Sequence, residues 1–560
     1  MARTESGVSF DPNDPYSRTT QIFPTLTHEQ IGRIKPFGEL VSLAQGTVLF
    51  ERGERSVDFF VVVQGNVEIY EYRAKEPLVI TVHREQQFTG ELDLFNDREI
   101  LVGGRMGADG QVIRLNRRQF RKLIAAEPDI SDIIMRAFML RRMGLISHQQ
   151  GSVTIVTQQH SGDTLRLERF LERNGYPLEV LDFEQEHSQQ CLRNFAVTAD
   201  DLPVVLIPNR EEVLCNPSNL ELARALGLVE QISFDQTYDV AIIGAGPAGL
   251  SATVYAASEG LRTILLEAEA PGGQAGTSSK IENYLGFPLG ISGQGLAGRA
   301  QVQAHKFGAT IALPYSVDSL NCDTHPYQLQ IDEQSLQART VIITTGARYR
   351  TLGVAGEDRF EGLGIYYAAT ATEGSLCKDE EVVVIGGGNS AGQAAVFLSR
   401  HASHVHILVR GHDLADSMSD YLVQRIHAAR RITLHTSTEV VGLQGDRFLE
   451  QITWRNNKTG HAQDHSIHHL FLMIGAVPNS RWLQDCLQQD EKGFILTGPE
   501  ADRSGWPLAR PAMMLETTVP GVFAAGDVRA GSIKRVASAV GEGAMAVSQL
   551  HHVLAELANP

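Results

Sequence analysis

Cysteine is scarce and scattered in these 560 residues: Cys191, Cys215, Cys322, Cys377 and Cys486 stand apart, no two in a C-x-x-C spacing. That excludes a local dithiol motif and a thiolate zinc finger, and an odd, sparse set fits a reducing compartment, not a disulfide scaffold. The basic excess that nucleic acid or an anionic membrane attracts is also missing, the net charge being -17. No apolar run reaches the ~20 residues that cross a bilayer and no charged-then-apolar leader opens the chain, so a cytoplasmic protein is the expectation. Metal-ligand spacing is absent as well. His461, His465, His468 and His469 crowd a polar stretch that reads as a hairpin. What is present is ordinary: 42% hydrophobic and 21% charged residues suit buried cores, and the length suggests three or four domains at ~150 residues each.

Three blocks follow one another. In the first, about 1–150, Thr27 to Gln30 read as a capping box opening a helix. Short alternating runs come next (TVLFERGE, DFFVVVQGNVEIYEY, PLVITVHRE), punctuated by Gly46, Gly53 and Gly65. Such runs argue for a small antiparallel barrel or sandwich, and the pattern turns helical from Arg117. The second block, 151–232, runs β-α-β-α-β-β-α, a small α/β unit. The third, 233–560, alternates apolar strands with helices, and two of its strands lead into glycine-rich turns.

The first turn lies in YDVAIIGAGPAGLSATVYAASEG. Gly244 permits the tight turn, Gly246 lets backbone reach a pyrophosphate, and Gly249 lets the helix close on the strand. The pyrophosphate then meets the helix N-terminus, where unpaired N–H groups and the dipole favour anions. The following strand ends at Glu267, 23 residues after Gly244, where a carboxylate accepts from a ribose diol. A second copy, EVVVIGGGNSAGQAAVFLSRHASHVHILVRG, sets Gly386, Gly388 and Ala391 at the small positions. Its next strand ends at Arg410 instead of an acid. A guanidinium pairs with a 2′-phosphate that a carboxylate would repel, which favours NADPH, with NADH kept as the alternative. Two dinucleotide units, one nested in the other, imply hydride transfer between nicotinamide and flavin.

In this order and spacing the motifs over 235–560 resemble the low-molecular-weight thioredoxin reductase family: PGGQ, IENYLGFP, VIITTGA, IGAVPNS, GVFAAGDV and RVASAVGEGAMAV. The resemblance implies FAD contacts at Gly244, Gly246, Gly249, Glu267, Gly272, Gln274, Asn283, Gly526, Asp527, Val536 and Ala537. It implies NADPH contacts at Gly388, Asn389, Ser390 and Arg410, and a homodimer. It further implies a chain that leaves the FAD unit near Thr345, Gly346 and Ala347 and returns near Gly475, Pro478 and Asn479, giving an FAD domain over 233–347 and 476–560 around a nicotinamide domain over 348–475. One segment departs from the family. Where its members carry C-A-T-C, this chain reads Ala368-Ala369-Thr370-Ala371. A methyl group forms neither a thiolate nor a mixed disulfide, so the flavin-to-dithiol relay is expected to be absent and no catalytic residue is assigned. The expected role of Cys377 is that of a buried, inert thiol.

The first block resembles a cyclic-nucleotide-binding domain through Gly46, Phe50, Gly53, Phe59, Gly65, Gly90, Glu91 and Leu92. In that family Glu91 would accept from a ribose 2′-OH. The arginine that pairs with the cyclic phosphate is missing: its region holds Ile100, Leu101 and Val102, with Arg98 and Arg105 out of frame. The second block resembles a thioredoxin or glutaredoxin domain, with Pro203 at the family's cis-proline and Ser161 to Thr164 where its cysteine pair would stand. The expected architecture is therefore an α/β flavoprotein core with two Rossmann-like dinucleotide folds, preceded by a β-barrel or sandwich domain and a small thioredoxin-like domain. The expected activity is electron transfer from NADPH through FAD to an external acceptor: a quinone, oxygen or a small redox protein such as ferredoxin. Direct reduction of substrate disulfides on the flavin, a nucleotide- or redox-sensing flavoprotein, and an inert remnant without flavin stand as alternatives.

Overall fold

The computed structural model describes residues 15–558 except 56, 74–75, 96–97, 159–161, 194, 196, 209, 211–212, 231, 279–280, 282, 368, 370, 415–417, 447, 484–485 and 502–505. Helices α1 (Thr19–Ile22) and α2 (His28–Ile34) open it. The expected capping box holds: the Gln30 N–H donates to Thr27 Oγ1 at 3.1 Å and the Thr27 N–H to Gln30 Oε1 at 2.9 Å. Strands β1 (Glu39–Leu43), β2 (Val48–Phe50), β3 (Phe59–Gln64), β4 (Val67–Arg73), β5 (Glu76–His83), β6 (Gly103–Met106) and β7 (Gly110–Leu115) follow. They form two antiparallel sheets, β1-β7-β3 and β2-β6-β4-β5, the small barrel the alternation implied. Helix α3 (Arg117–Ala126) buries Phe120, Leu123 and Ile124 at helical spacing. With α4 (Pro128–Ser147) it packs Phe120 and Phe138 against Phe59, Phe88 and Phe95.

The second unit runs β8 (Val153–Thr157), α5 (Gly162–Arg173), β9 (Leu178–Asp182), α6 (Glu186–Leu192), β10 (Val204–Leu206), β11 (Val213–Cys215) and α7 (Asn219–Ala225). Its sheet order is β11-β10-β8-β9, with β8 and β9 parallel and β10 antiparallel to β8. The Leu202–Pro203 peptide is cis, as the sequence suggested. Barrel and α/β unit share one core: Phe50, Phe60 and Leu101 are continuous with Ile155, Leu167, Phe170 and Leu226.

The third region begins with β12 (Thr237–Ile243), α8 (Pro247–Ser258), β13 (Thr263–Leu266), α9 (Gly293–Lys306), β14 (Thr310–Ala312), β15 (Ser319–Asn321), β16 (Tyr327–Ile331), β17 (Gln334–Ile343) and β18 (Ala347–Tyr349). The nested unit comprises β19 (Ile365–Tyr366), α10 (Ala371–Leu376), β20 (Glu381–Ile385), α11 (Asn389–Leu398), β21 (His404–Leu408), α12 (Asp420–Ala428), β22 (Ile432–His435), β23 (Thr438–Gln444), β24 (Gln451–Asn456), β25 (Ala462–His465) and β26 (His469–Leu472). The chain returns through β27 (Ala476–Pro478) to β28 (Val522–Ala524) and α13 (Val536–Ala558). The outer unit has the sheet order β14-β13-β12-β17-β16-β15. Its long β17 pairs with antiparallel β16 through one half and with parallel β28 through the other. The nested unit is a parallel sheet, β19-β26-β20-β21-β22, with an antiparallel β23-β24-β25 meander. Both sheets are buried on two faces, so their strands are the continuous Val/Ile/Leu runs seen in the sequence. Among the described residues no helix is long and apolar enough to cross a membrane.

The two crossings lie side by side. β18 pairs antiparallel with β27, the Asn479 N–H donates to the Gly346 carbonyl at 3.0 Å, and the Thr345 hydroxyl donates to the Asn479 carbonyl at 2.7 Å. These are the segments at which the chain was expected to leave and re-enter the FAD unit. Cys322 and Cys486 depart from the expectation of separate thiols. They are joined in a disulfide with Cα atoms 5.9 Å apart, across 164 residues of sequence. The β15 edge and the turn after Arg481–Leu483 bring them together, a juxtaposition no local spacing reports. Cys215 is an exposed free thiol and Cys377 a buried one.

Candidate dinucleotide sites

The first site is made by backbone. Gly244 sits at φ 101°, in the left-handed region, and a Cβ there would lie 2.5 Å from the Thr344 carbonyl oxygen. At Gly249 a Cβ would lie 1.9 Å from the Gly244 carbonyl oxygen, so α8 closes onto β12 only because that side chain is missing. Gly246 is the opposite: it caps α8, and a Cβ there would meet nothing within 4 Å. Open space before a helix N-terminus is the cradle a pyrophosphate needs. The Gly272–Gly273 turn backs it, the Gly272 N–H donating to the Ala245 carbonyl at 2.7 Å.

Glu267 follows β13 and points back to this turn. Its carboxylate accepts from the Ala245 N–H at 2.7 Å and the Glu269 N–H at 2.9 Å. Burial pushes its carboxyl above the usual range, against the pull of those two donors. Gln274 and Asn283 are exposed beside the turn. On the return segment Gly526 has φ 75° and its N–H donates to Glu542 at 2.7 Å, a carboxylate held by Arg529 at 2.6 Å. The Asp527 carboxyl, raised by burial, follows it. Val536 starts α13, which lies against α8 so closely that a Cβ at Gly543 would be 2.2 Å from the Ala248 carbonyl oxygen. Ala537 is exposed one residue on. The cradle, the carboxylate and the helix N-terminus fit a dinucleotide such as FAD.

The second site repeats the scheme. Gly386 has φ 139°, and a Cβ there would be 2.4 Å from the Met473 carbonyl oxygen. Gly388 caps α11. Asn389 and Ser390 are exposed at the first turn of that helix, and Asn389 Oδ1 accepts from the Ser419 N–H at 2.7 Å. Arg410 stands exposed past the end of β21. Arg410 instead of a carboxylate stands at the strand end, so these residues fit a nicotinamide dinucleotide whose 2′-phosphate a guanidinium can pair with.

Ala368 and Thr370 lie outside the described residues, and Ala371 begins α10. The two tyrosines before them separate. Tyr366 packs into the nested unit against Phe471, with ring centroids 5.2 Å apart. Tyr367 instead stacks on Tyr349 of β18, with centroids 4.7 Å apart and planes within 9°. Burial and the nearby Asp527 carboxylate push the Tyr349 phenol up to about 12. The stack thus joins the nested unit to the crossing strand β18.

Sequence reasoning missed several groups here. The Thr344 hydroxyl lies within hydrogen-bonding distance of the carbonyls of Ile243 (2.9 Å) and Gly244 (2.8 Å), and Glu542 supports Gly526. Arg173, from α5 of the second unit, pairs with Glu269 at 2.7 Å and reaches the Gly273 carbonyl at 3.4 Å. The front half is therefore in direct contact with the loop behind the first cradle. Only the Thr-rich strand end was a local signal.

In the barrel, Glu91 is engaged: Arg142 of α4 pairs with it at 2.8 Å and also with Asp93. Arg105 pairs with Glu68 at 2.9 Å, and Arg98 donates to the Asn174 carbonyl at 3.3 Å. In the nested unit His465 stacks on Trp454, and among the described residues no group of three His, Cys, Asp or Glu side chains could hold a metal ion.

Residues 238–543 match the family model described as pyridine nucleotide-disulphide oxidoreductase, and residues 40–127 match the cyclic nucleotide-binding domain. A thioredoxin reductase of Treponema pallidum (strain Nichols) is 34% identical over 309 residues, 55% of this chain and 94% of that protein. A thioredoxin reductase of Bacillus subtilis (strain 168) is 34% identical over 337 residues, 58% of this chain and 98% of that protein. The crystal structure of thioredoxin reductase from Streptococcus pyogenes MGAS5005 superimposes with a TM-score of 0.52 at 32% identity, covering 57% of this chain and 99% of that one.

Proposed function

We propose, from the premise that the chain belongs to the pyridine nucleotide-disulphide oxidoreductase family, that it passes electrons from NADPH through FAD to an acceptor outside its own chain. It is a flavin-dependent NAD(P)H oxidoreductase of thioredoxin-reductase type, with FAD and NADPH as cofactors. FAD, when bound, takes a hydride from the nicotinamide and yields electrons to the acceptor. In this reading Gly244, Gly246, Gly249, Gly272 and the first turn of α8 hold its pyrophosphate. Glu267 takes the ribose diol, and Gln274, Asn283, Gly526, Asp527, Val536 and Ala537 line the rest of the cofactor. Gly388, Asn389 and Ser390 hold the phosphates of the nicotinamide dinucleotide, and Arg410 selects its 2′-phosphate.

The observation that carries the external acceptor is the run Gly364 to Ala371, which has alanine at both family cysteine positions. The other cysteines lend little to an internal relay. Cys377 is buried and its thiol is pushed up to about 11, chiefly by burial. The Cys322–Cys486 disulfide flanks β15, three strands from β12 and so about 14 Å along the sheet at ~4.8 Å per strand. The stacked Tyr349 and Tyr367 would form an aromatic wall suited to a planar acceptor such as a quinone; oxygen and ferredoxin are the other candidates. The front half is read as a barrel over 1–150 and a thioredoxin-like unit over 151–232 without the family's cysteine pair, whose mixed sheet and cis-Pro203 support that likeness. The outer domain is read over 233–347 and 476–560, the nicotinamide domain over 348–475, and the assembly as a homodimer.

A second reading is favoured by the Cys322–Cys486 bond itself: the flavin would reduce this internal disulfide after all. Anaerobic titration of the yellow protein with NADPH separates the two. A flavin alone consumes about one equivalent per chain and a flavin plus a disulfide about two, since each is a two-electron couple. An end point near one equivalent, with rapid bleaching and turnover on a quinone, oxygen or ferredoxin, supports the external acceptor. Two equivalents and two new thiols refute it. Absence of bleaching refutes an oxidoreductase role and favours a sensor.

A further inference from the structure

The barrel holds a cavity of about 60 Å³, with Phe23, Phe50 and Ile80 among its apolar lining residues. Of the polar side chains that line it, His83 of β5 and Arg141 of α4 carry unpartnered polar atoms, and both are more than nine-tenths buried, at 2% and 7% exposure. The Arg141 guanidinium lies 4.8 Å from the centre of the Phe88 ring. It donates to the Ile22 carbonyl at 3.0 Å and the Gly90 carbonyl at 2.8 Å, and its Nη2 has no hydrogen-bond partner. Nδ1 of His83 has none either. Among the described residues no carboxylate pairs with Arg141. The two acids in the wall are engaged elsewhere, Glu91 with Arg142 and Asp58 with Arg114.

A buried cation without a counter-ion and a buried ring nitrogen without a partner are both costly, and one anion between them would satisfy both. We propose that this cavity binds a short-chain organic monocarboxylate, one oxygen on Arg141 Nη2 and the other on His83 Nδ1–H, its alkyl end against Phe23, Phe50 and Ile80. Burial and the Arg141 charge hold His83 neutral, so its ring offers a single proton to the ligand. At ~10–15 Å³ per water-sized group the cavity admits about four to six heavy atoms. A cyclic nucleotide is several times larger. Its family anchors are also missing: Arg142 occupies Glu91, and Ile100 and Val102 line the wall where the phosphate arginine would stand. The ligand is therefore a different one from that of the matched domain family, and its anchor comes from α4.

The test is calorimetric titration of the full-length flavin-loaded protein with propionate, and separately with inorganic phosphate and cAMP. Saturable binding of propionate, with none of cAMP and weaker binding of phosphate, is expected. Ile80→Phe, which fills the cavity from a half-buried strand position without touching Arg141, should abolish propionate binding while the melting temperature of the unliganded protein holds. Arg141→Lys should weaken it about tenfold or more, because an ammonium lacks the planar fork that donates to Ile22, Gly90 and the ligand at once. Propionate without effect to tens of millimolar, propionate binding unchanged in Ile80→Phe, or cAMP binding more tightly than propionate would each overturn the proposal.

Discussion

Replacing Gly246 with alanine separates what the first glycine turn does for the fold from what it does for the ligand. Gly246 has φ −69° and ψ −179°, a conformation any residue adopts, and a Cβ there meets no protein atom within 4 Å. The ligand-free protein should therefore keep its stability or gain about 0.4–1 kcal/mol, because alanine restricts the unfolded chain. The new methyl instead projects into the space before α8. A pyrophosphate displaced from that helix loses at least one charge-assisted hydrogen bond, about 1.5–3 kcal/mol, or ~10–150-fold in affinity. Thermal melts of the flavin-free protein and fluorescence titration with FAD measure the two quantities separately. Wild-type affinity in Gly246→Ala would refute the placement of the pyrophosphate at this turn. Gly249→Ala is the control, because there the methyl would stand 1.9 Å from the Gly244 carbonyl oxygen and 2.6 Å from Thr344 Oγ1. That overpacking should cost about 1–3 kcal/mol and lower stability and flavin content together.

Arg410→Ala should lower kcat/KM for NADPH about tenfold and leave NADH nearly unchanged; equal losses for the two would remove Arg410 from 2′-phosphate recognition. His305, buried under the barrel near Arg98, is pushed down from the usual 6.5 to about 3, mainly by burial. The unfolded chain then binds its proton first, so stability is full above pH 6.5 and falls as the pH drops toward 3, by at most about 1.4 kcal/mol per unit. Urea melts at pH 7.5 and pH 5 should show that loss, and His305→Gln should flatten it; an identical slope in the variant would discard His305 as the cause. Arg173→Ala should loosen the Glu269–Gly273 loop and weaken FAD binding several-fold, although Arg173 lies outside the region matched to the oxidoreductase family; unchanged FAD affinity would confine Arg173 to surface packing.

Much of the dinucleotide machinery was legible because its determinants are local. A left-handed glycine, a cap and a carboxylate at the next strand end all lie within some two dozen residues, and the structure places Gly244, Gly246, Gly249 and Glu267 together as expected. The crossings at Gly346 and Asn479 were legible for a different reason, as ordered motifs resembling a family. Glu91 shows where such reading stops. The Gly-Glu-Leu run read as a nucleotide cassette with Glu91 for a ribose hydroxyl, yet nothing near it in sequence announced Arg142, which holds the carboxylate from 51 residues away.

By itself the sequence determined the alternating strands of the barrel, the two strand–turn–helix units and the alanines at 368 and 371, because periodicity, φ preference and the chemistry of a methyl group are properties of the chain. Tertiary structure alone decided which distant side chains meet. It joined Cys322 to Cys486, set Arg173 of the second unit on the loop behind the first cradle, and turned Arg141 into the barrel without a counter-ion. Such pairings carry no period along the chain. They arise when helices and sheets bury their apolar faces against one another, and that packing, not any local motif, fixes which polar groups the interior must accommodate.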